Sequence, residues 1–328
     1  VIEMPTAVSC QATDLFARGA VEILQKVGCD SLAFGSEGGD EAFFGAAVSQ
    51  RQAIEKEISR FVEENRSFTF ANQLTQLAMK KFGEESALVE ALQSPNQQLG
   101  LAYALENEKS EHPMQIVPIT RVGSGHLDDA LEETAFASGT ALRKALKDNR
   151  DDQVLRAQLS YVRLDEEEYQ NDWSSYWPLL KSIILRSTDE EMRAIYQMEE
   201  GIENRLKEVI RTTSSIEECL QQLKNKRWSW ARLQRLLVYV LLGVTKDEIE
   251  GYWSRPIEQG TVLGFTSKGQ EWLKRMREVE SFQLITNYAA YKDERQESWD
   301  LLYDYWNPSK QISATVFKPI QVNKEESF

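Results

Sequence analysis

The sequence predicts an α/β protein, with a parallel sheet in the first half and a mostly helical second half. Three observations carry this expectation. Val1–Pro5 reads as the end of a buried strand, Gln11–Val27 as a helix and Ser31–Phe34 as a second strand, and strand–helix–strand order is the sign of parallel pairing. A third strand, Met114–Thr120, runs on toward a helix whose start carries Ser138, Thr140 and Arg143. Past about residue 150 the pattern turns to amphipathic helices.

Bulk properties bound the reading. A chain of 328 residues should hold about two domains. Apolar content of 41% and charged content of 27% fit a soluble globular protein. No apolar run approaches the roughly 20 residues that cross a bilayer, so no membrane association is expected. The three cysteines, Cys10, Cys29 and Cys219, lie far apart without a C-x-x-C spacing. That suits the cytoplasm and argues against a structural zinc site. With only His112 and His126 present, a histidine-based metal centre or triad is not expected either.

Taken in order, the first helix places Leu15, Phe16, Ala20, Ile23, Leu24 and Val27 on one side and ends at Gly28. The strand Ser31–Phe34 closes on Gly35-Ser36-Glu37-Gly38-Gly39-Asp40. Residues 41–93 read as a helical insertion beside the sheet. Ser94-Pro95-Asn96 then opens a short helix through Leu105, followed by the strand Met114–Thr120. The charged stretch from Lys147 to Asp152 marks the expected boundary between a domain over 1–150 and one over 151–328. Helices are expected over Trp177–Leu185, Glu190–Ile210, Ile216–Leu223 and Ser229–Leu242. A small α/β addition follows: Thr261–Thr266, a helix from Gly269, and Phe282–Thr286. A helix over about Glu294–Trp306 and a frayed polar tail end the chain.

A net charge of −14 counts against a nucleic-acid partner on average, but the charge is segregated. From Cys219 to Lys246 there is no acidic residue, whereas Lys224, Lys226, Arg227, Arg232, Arg235 and Lys246 are basic. About four acids are expected in a window of that length. Within it Trp230, Leu233, Leu237, Val240 and Leu241 form an apolar stripe, and Trp228, Arg232, Arg235 and Tyr239 share another face. Arginines interleaved with aromatic rings suit RNA, because guanidinium groups take phosphates while rings stack on bases. A solvated basic face with Trp228 and Tyr239 in a core fits the same spacing.

In an open parallel sheet, ligands bind at the carboxyl ends of the strands. Gly35 follows one strand and Arg121 another, and Ser138, Thr140 and Arg143 open the next helix. A helix start attracts anions, and Arg143 stands one turn inside it. Gly35 could be a turn glycine, Ser138 and Thr140 ordinary caps, and Arg121 the partner of Asp128 or Asp129. Together they read as a nucleoside triphosphate site.

These residues resemble a known family. Ala137–Lys144 is similar to the second signature of the HIGH-type nucleotidylyltransferases, and the chain resembles the bacterial tRNA(Met) cytidine acetate ligases. The likeness runs in order through Val1–Pro5, Asp14–Ala17, Phe34–Glu37, Ser94–Asn96 with Leu99-Gly100, Arg121–Gly123 and Ser138–Arg143. It continues through Lys224–Arg227, Arg232–Arg235 and Val262–Phe265. The resemblance implies an incomplete Rossmann-like nucleotidylyltransferase domain before a helical RNA-binding domain. It implies activation of acetate by ATP as acetyl-adenylate, and acetyl transfer to N4 of the wobble cytidine in elongator tRNA(Met). It also implies that Gly35, Asn96 and Arg121 contact ATP, with Mg²⁺ arriving through the phosphates.

There are departures from the family pattern. The family's first signature, Asn-Pro-Phe-His-x-Gly-His, is absent from the chain, so impaired adenylation is expected of this polypeptide. His126-Leu127-Asp128 stands where Tyr-His-Asp is usual, and Gly139 replaces an alanine. Two other readings follow from the same features: an adenylyltransferase with a small-molecule acceptor, or a non-catalytic RNA-binding protein. The first has no use for the basic island; the second would have no upstream Asn-Pro-Phe-His segment in its gene.

Overall fold

A computed structural model describes residues 1–64, 70–121, 137, 139–148, 155, 157, 173–279, 281–287, 298–299 and 320–322. The first parallel pair joins β1 (Ser31–Ser36) to β2 (Gln115–Thr120), from Ser31 opposite Gln115 to Ser36 opposite Thr120. Before it stand α1 (Thr6–Ser9) and α2 (Thr13–Lys26). Between the two strands come α3 (Glu41–Ala53), α4 (Glu55–Glu64), α5 (Phe70–Phe82), α6 (Ala87–Ala91) and α7 (Pro95–Glu108). The helical insertion is therefore the crossover that parallel pairing requires.

Its core holds Phe44, Val48, Leu77, Leu88 and Leu101, with Phe34 of β1 and Ile116 of β2 packed against it. Helix α7 lies close on β1 because Gly100 has no side chain. A Cβ there would stand 2.6 Å from Phe34 Cε2 and 2.7 Å from Phe44 Cε1. Asp40, Ser86 and Ser94 each accept a backbone N–H at the start of their helices, which fixes where those helices begin.

The second half follows α8 (Gly139–Lys147). It comprises α9 (Trp173–Arg186), α10 (Asp189–Ala194), α11 (Ile202–Thr212), α12 (Ile216–Leu223), α13 (Trp230–Leu242) and α14 (Lys246–Trp253). Leu180, Ile184, Leu206, Ile210, Leu220, Leu233 and Leu237 share one core there. The late α/β addition contains β3 (Gln259–Thr261), β4 (Gly264–Thr266), α15 (Ser267–Met276), β5 (Gln283–Ile285) and β6 (Ile320–Val322). β3 pairs in parallel with β5, and β4 with β6.

Several expectations are corrected. Val1–Met4 does not lie in the first sheet. Ile2 bridges Val262 in antiparallel fashion, and the Glu3 N–H donates to the Thr261 carbonyl at 2.8 Å. The apolar Ile2 and Met4 side chains pack there with Val8, Ile23 and Phe282, which removes them from water. The single helix expected over 190–210 is broken. Gln197, Glu200 and Gly201 have φ of 60°, 57° and 74°, a left-handed state that no α-helix continues through. Thr261–Thr266 splits into two strands with different partners. Helix α14 was not expected, although its Thr245–Glu248 capping box is visible in the sequence. Of the polar tail only β6 is described, and its end, like the helix expected over 294–306 apart from 298–299, lies outside the described residues.

The start of the chain packs against the second half. Tyr239 donates its hydroxyl to the Cys10 carbonyl at 2.5 Å, and Tyr196 donates to Gln11 Oε1 at 3.2 Å. Arg18 stacks on the Trp253 ring at 4.9 Å and donates to the Trp253 carbonyl.

Candidate active site and nucleic-acid interface

Because β1 and β2 run parallel in register, their carboxyl ends fall on one edge. The exposure of β1 alternates, with Leu32 and Ser36 buried and Ala33 and Gly35 outward. The Arg121 N–H donates to the Ser36 carbonyl at 2.8 Å, which extends the ladder one residue past β2. Its side chain then lies over Gly35, whose absent Cβ would stand 3.6 Å from Arg121 Cγ. Gly35 and Arg121 thus share one exposed surface.

On the buried side, Ser36 Oγ donates to Gln97 Oε1 at 2.9 Å, and Gln97 Nε2 donates to the Gly38 carbonyl at 2.9 Å. Asn96 Nδ2 donates to Glu37 Oε1 at 2.8 Å. Asn96 sits in the first turn of α7, behind Pro95, which has no N–H, while the Gln97 N–H is already taken by the Ser94 hydroxyl at 3.2 Å. These bonds bring Gly35, Asn96 and Arg121 to one strand end. Gln97 was not singled out by sequence, because a glutamine in the first turn of a helix carries no signal of its own, and Glu37 entered only within the Phe34–Glu37 stretch of the resemblance.

A cavity of about 890 Å³ runs beside β1, lined by Leu32, Phe34, Gly35, Asn96, Leu99 and Tyr103 among others. Its size falls within the range of small-molecule sites. Burial raises the Tyr103 phenol above its usual value, so the hydroxyl stays protonated and can donate a hydrogen bond.

The second part of the predicted triphosphate site is described only in part. Helix α8 starts at Gly139 and carries Thr140 and Arg143. The Arg143 guanidinium folds back over the helix start, 3.3 Å from where a Cβ on Gly139 would stand. Ser138, His126, Asp128 and Asp129 lie outside the described residues, and of Thr140 only the helical backbone is described. Among the described residues, no hydrogen bond or ion pair joins Arg143 to Gly35, Asn96 or Arg121.

The basic island is built differently from the expectation. Trp228 is 3% exposed and Tyr239 2% exposed, both within the helical core. Neither ring is open to stack on a base, and this corrects the aromatic part of the predicted RNA face. Trp230, expected in the apolar stripe, is instead 36% exposed, and Leu236 and Leu242 join Leu233, Leu237 and Val240 inside. The reason is the Ser229 cap, which starts α13 at Trp230. Trp228 lies before the helix and folds inward, held by its N–H to Asn225 Oδ1 at 3.0 Å.

The guanidinium of Arg232 stacks on the Trp228 ring at 3.9 Å. Arg227 and Arg232 also meet acids from elsewhere: Arg227 Nη1 donates to Glu200 at 3.3 Å and Arg232 Nη2 to Glu199 at 3.4 Å. Lys246 donates to the Met198 carbonyl at 3.0 Å. Lys224 and Lys226 are exposed, and among the described residues neither side chain has a polar partner. Arg235 is half-buried, with its Nε unpartnered.

Among the described residues, no helix is long and apolar enough to cross a membrane, and no cluster of histidine, cysteine and acidic residues could hold a metal.

Comparison with known proteins identifies the family. The profile of the HIGH Nucleotidyl Transferase family matches residues 1–325. A tRNA(Met) cytidine acetate ligase of Lactobacillus gasseri is 31% identical over 292 residues, covering 87% of this chain and 72% of that protein. The ligase of the same name from Halalkalibacterium halodurans is 33% identical over 315 residues, covering 92% and 74%. A crystal structure of apo Thermotoga maritima TmcAL superposes with a TM-score of 0.82 over 98% of this chain and 84% of that one, at 22% identity. Another, bound with alpha-thio ATP, gives 0.80. At that identity the likeness is one of fold. The chain belongs to the HIGH nucleotidyl transferases and, within them, to the tRNA(Met) cytidine acetate ligase family, a family of ligases.

Proposed function

We propose that this protein joins acetate to N4 of the wobble cytidine of elongator tRNA(Met) at the expense of ATP, in the cytoplasm. The observation that carries the reading is the strand edge where Gly35, Asn96 and Arg121 converge. In a nucleotidyl transferase fold, such an edge is where a nucleotide lies.

An acetate oxygen attacks the α-phosphorus of ATP, pyrophosphate leaves, and acetyl-adenylate forms. The cytidine N4 then attacks the acetyl carbonyl, AMP departs, and N4 gives up one proton. Arg121 supplies fixed positive charge to the phosphates over the bare face of Gly35. The Asn96 side-chain amide gives a hydrogen-bond donor beside them. Ser138, Thr140 and Arg143 form a second phosphate-binding end at the start of α8. Mg²⁺ enters with the phosphates of ATP rather than on a protein cluster.

The basic face of Lys224, Lys226, Arg227, Arg232 and Arg235 takes the tRNA backbone. Trp228 serves it indirectly, by holding the Arg232 guanidinium in place.

The test separates the two surfaces. Gly35→Ala should leave thermal stability nearly unchanged, since the added methyl meets only ordinary contacts at 3.6 Å and beyond. It should nonetheless weaken ATP binding measured by calorimetry, because the strand end is then no longer bare. Arg232→Ala with Arg235→Ala should weaken tRNA binding and flatten its salt dependence, by about one unit of slope for each lost phosphate contact. Lys274→Ala, on α15 and outside the acid-free window, should do little. ATP binding that survives Gly35→Ala and Arg121→Ala unchanged would refute the nucleotide edge.

A further inference from the structure

The basic face opens onto a groove of about 1450 Å³ between α13 and the lobe of α3–α7. Arg227, Arg232 and Arg235 line one wall, and from the lobe come Arg51, paired with Glu55, and Lys109, paired with Glu106 at 2.6 Å. The charge on the α13 side is partly engaged. Glu200 accepts from Arg227 at 3.3 Å, and Glu199 accepts from Arg232 at 3.4 Å.

Both acids come from the turn between α10 and α11. Glu200 there holds φ at 57°, an uncommon state for a residue with a side chain, and Gly201 follows at 74°. The turn sends two consecutive carboxylates to two different guanidinium groups. Both contacts are long and open to solvent, so each is weak and exchangeable. Arg235 contrasts with them, since its Nε is buried and lacks a partner.

We infer that Glu199 and Glu200 occupy, in the free protein, the guanidinium positions taken by two phosphates of the RNA backbone when it enters the groove. This rests on the RNA reading above. A small anion can displace one carboxylate at most and still faces the second. A polyanion displaces both and reaches Arg235 as well. The pair therefore selects RNA over inorganic phosphate. It also lowers the salt dependence, because each freed carboxylate gathers cations as a phosphate sheds them.

The experiment measures binding of tRNA to the parent chain and to Glu199→Gln/Glu200→Gln across a salt series. The double variant should bind about fivefold to tenfold tighter at low salt. Its log–log salt slope should be steeper by one to two units. Inorganic phosphate, a poor competitor of tRNA on the parent, should compete better on the variant. The single variants should each show part of the change. Parent and double variant with equal affinity and equal slope would overturn the exchange while leaving the RNA reading intact. A parent chain that binds no tRNA at any salt concentration would remove both.

Discussion

The strand edge around Gly35 and the basic face around Arg232 are assembled by different forces. At the edge, backbone pairing does the placing. Six in-register pairs put the end of β1 beside the end of β2, and Arg121 follows from the last of them. On the basic face, side-chain partners do the placing. Arg232 sits where a buried ring and a distant carboxylate hold it. Backbone order is written in local sequence; partners brought by another turn are not.

The largest expected effect breaks the comparison if it fails. Trp228→Ala should destabilise the protein by about 3–5 kcal/mol, as loss of a buried aromatic does, with a matching drop in the melting transition. It should also free Arg232 and weaken RNA binding. A variant that melts like the parent but loses RNA affinity would make Trp228 a stacking surface after all.

Next comes the strand edge itself. In a protein that also carries the Asn-Pro-Phe-His-x-Gly-His segment, Arg121→Ala should lower the rate of ATP–pyrophosphate exchange with acetate by about a hundredfold, roughly 3 kcal/mol in the barrier. Its tRNA affinity should stay close to that of the parent. Arg121→Lys should recover only part, since an ammonium lacks the guanidinium fork. Equal losses of exchange and tRNA binding would mean that the two surfaces are not separate.

Legibility in the sequence divides along the same line. The strand Ser31–Phe34, the helix Ile216–Leu223 and the Ser94 start of α7 were readable because periodicity and caps are local. Arg121 and Gly35 were readable as neighbours because parallel strands must end together. The acid-free window of residues 219–246 was readable too, but as composition only. Glu199 and Glu200 lie about thirty residues upstream, past a turn whose left-handed residues have no glycine signature at Gln197 or Glu200. Trp228 was expected just before the helix, but that its ring turns into the core depends on Asn225, which holds its backbone N–H, and on the helices that surround it. Val1–Met4 was readable as extended chain, but its antiparallel bridge to Val262 depends on a segment some 260 residues away.

A third prediction probes how rigidly the edge is held. Gly100→Ala puts a methyl within 3 Å of Phe34 and Phe44, which two packed rings cannot easily vacate. It should cost about 1–3 kcal/mol of stability. Asn96 lies one turn before Gly100 on the same face of α7, so the displaced helix should also carry Asn96 away from Glu37 and weaken ATP binding. Full stability together with full ATP affinity would show that α7 tolerates movement and that Asn96 is not held by its packing.

The smallest perturbation uses the free thiols to read each region separately. Cys29 is exposed, precedes β1 and lines the cavity beside it; Cys219 is buried in the helical core. Both thiols are raised above their usual value. At Cys29, partial burial is the main cause and the Asp30 charge adds to it. At Cys219, burial dominates and pushes the thiol up to about 11. Only the thiolate reacts with alkylating reagents, so labelling at both sites should speed up as pH rises. Near pH 8, Cys29 should label slowly for an exposed thiol. Cys219 should label only as the helical core opens, because both its thiolate fraction and its access are low. Following the two by mass spectrometry along a urea series then asks whether the halves open together. The contacts of Tyr239 with Cys10 and of Arg18 with Trp253 tie the start of the chain to the helical core. They predict that Cys219 becomes reactive in the same transition that releases α2, and that Cys29 accelerates there too. If Cys29 reached its full rate well below that transition, the strand edge would open independently of the basic face.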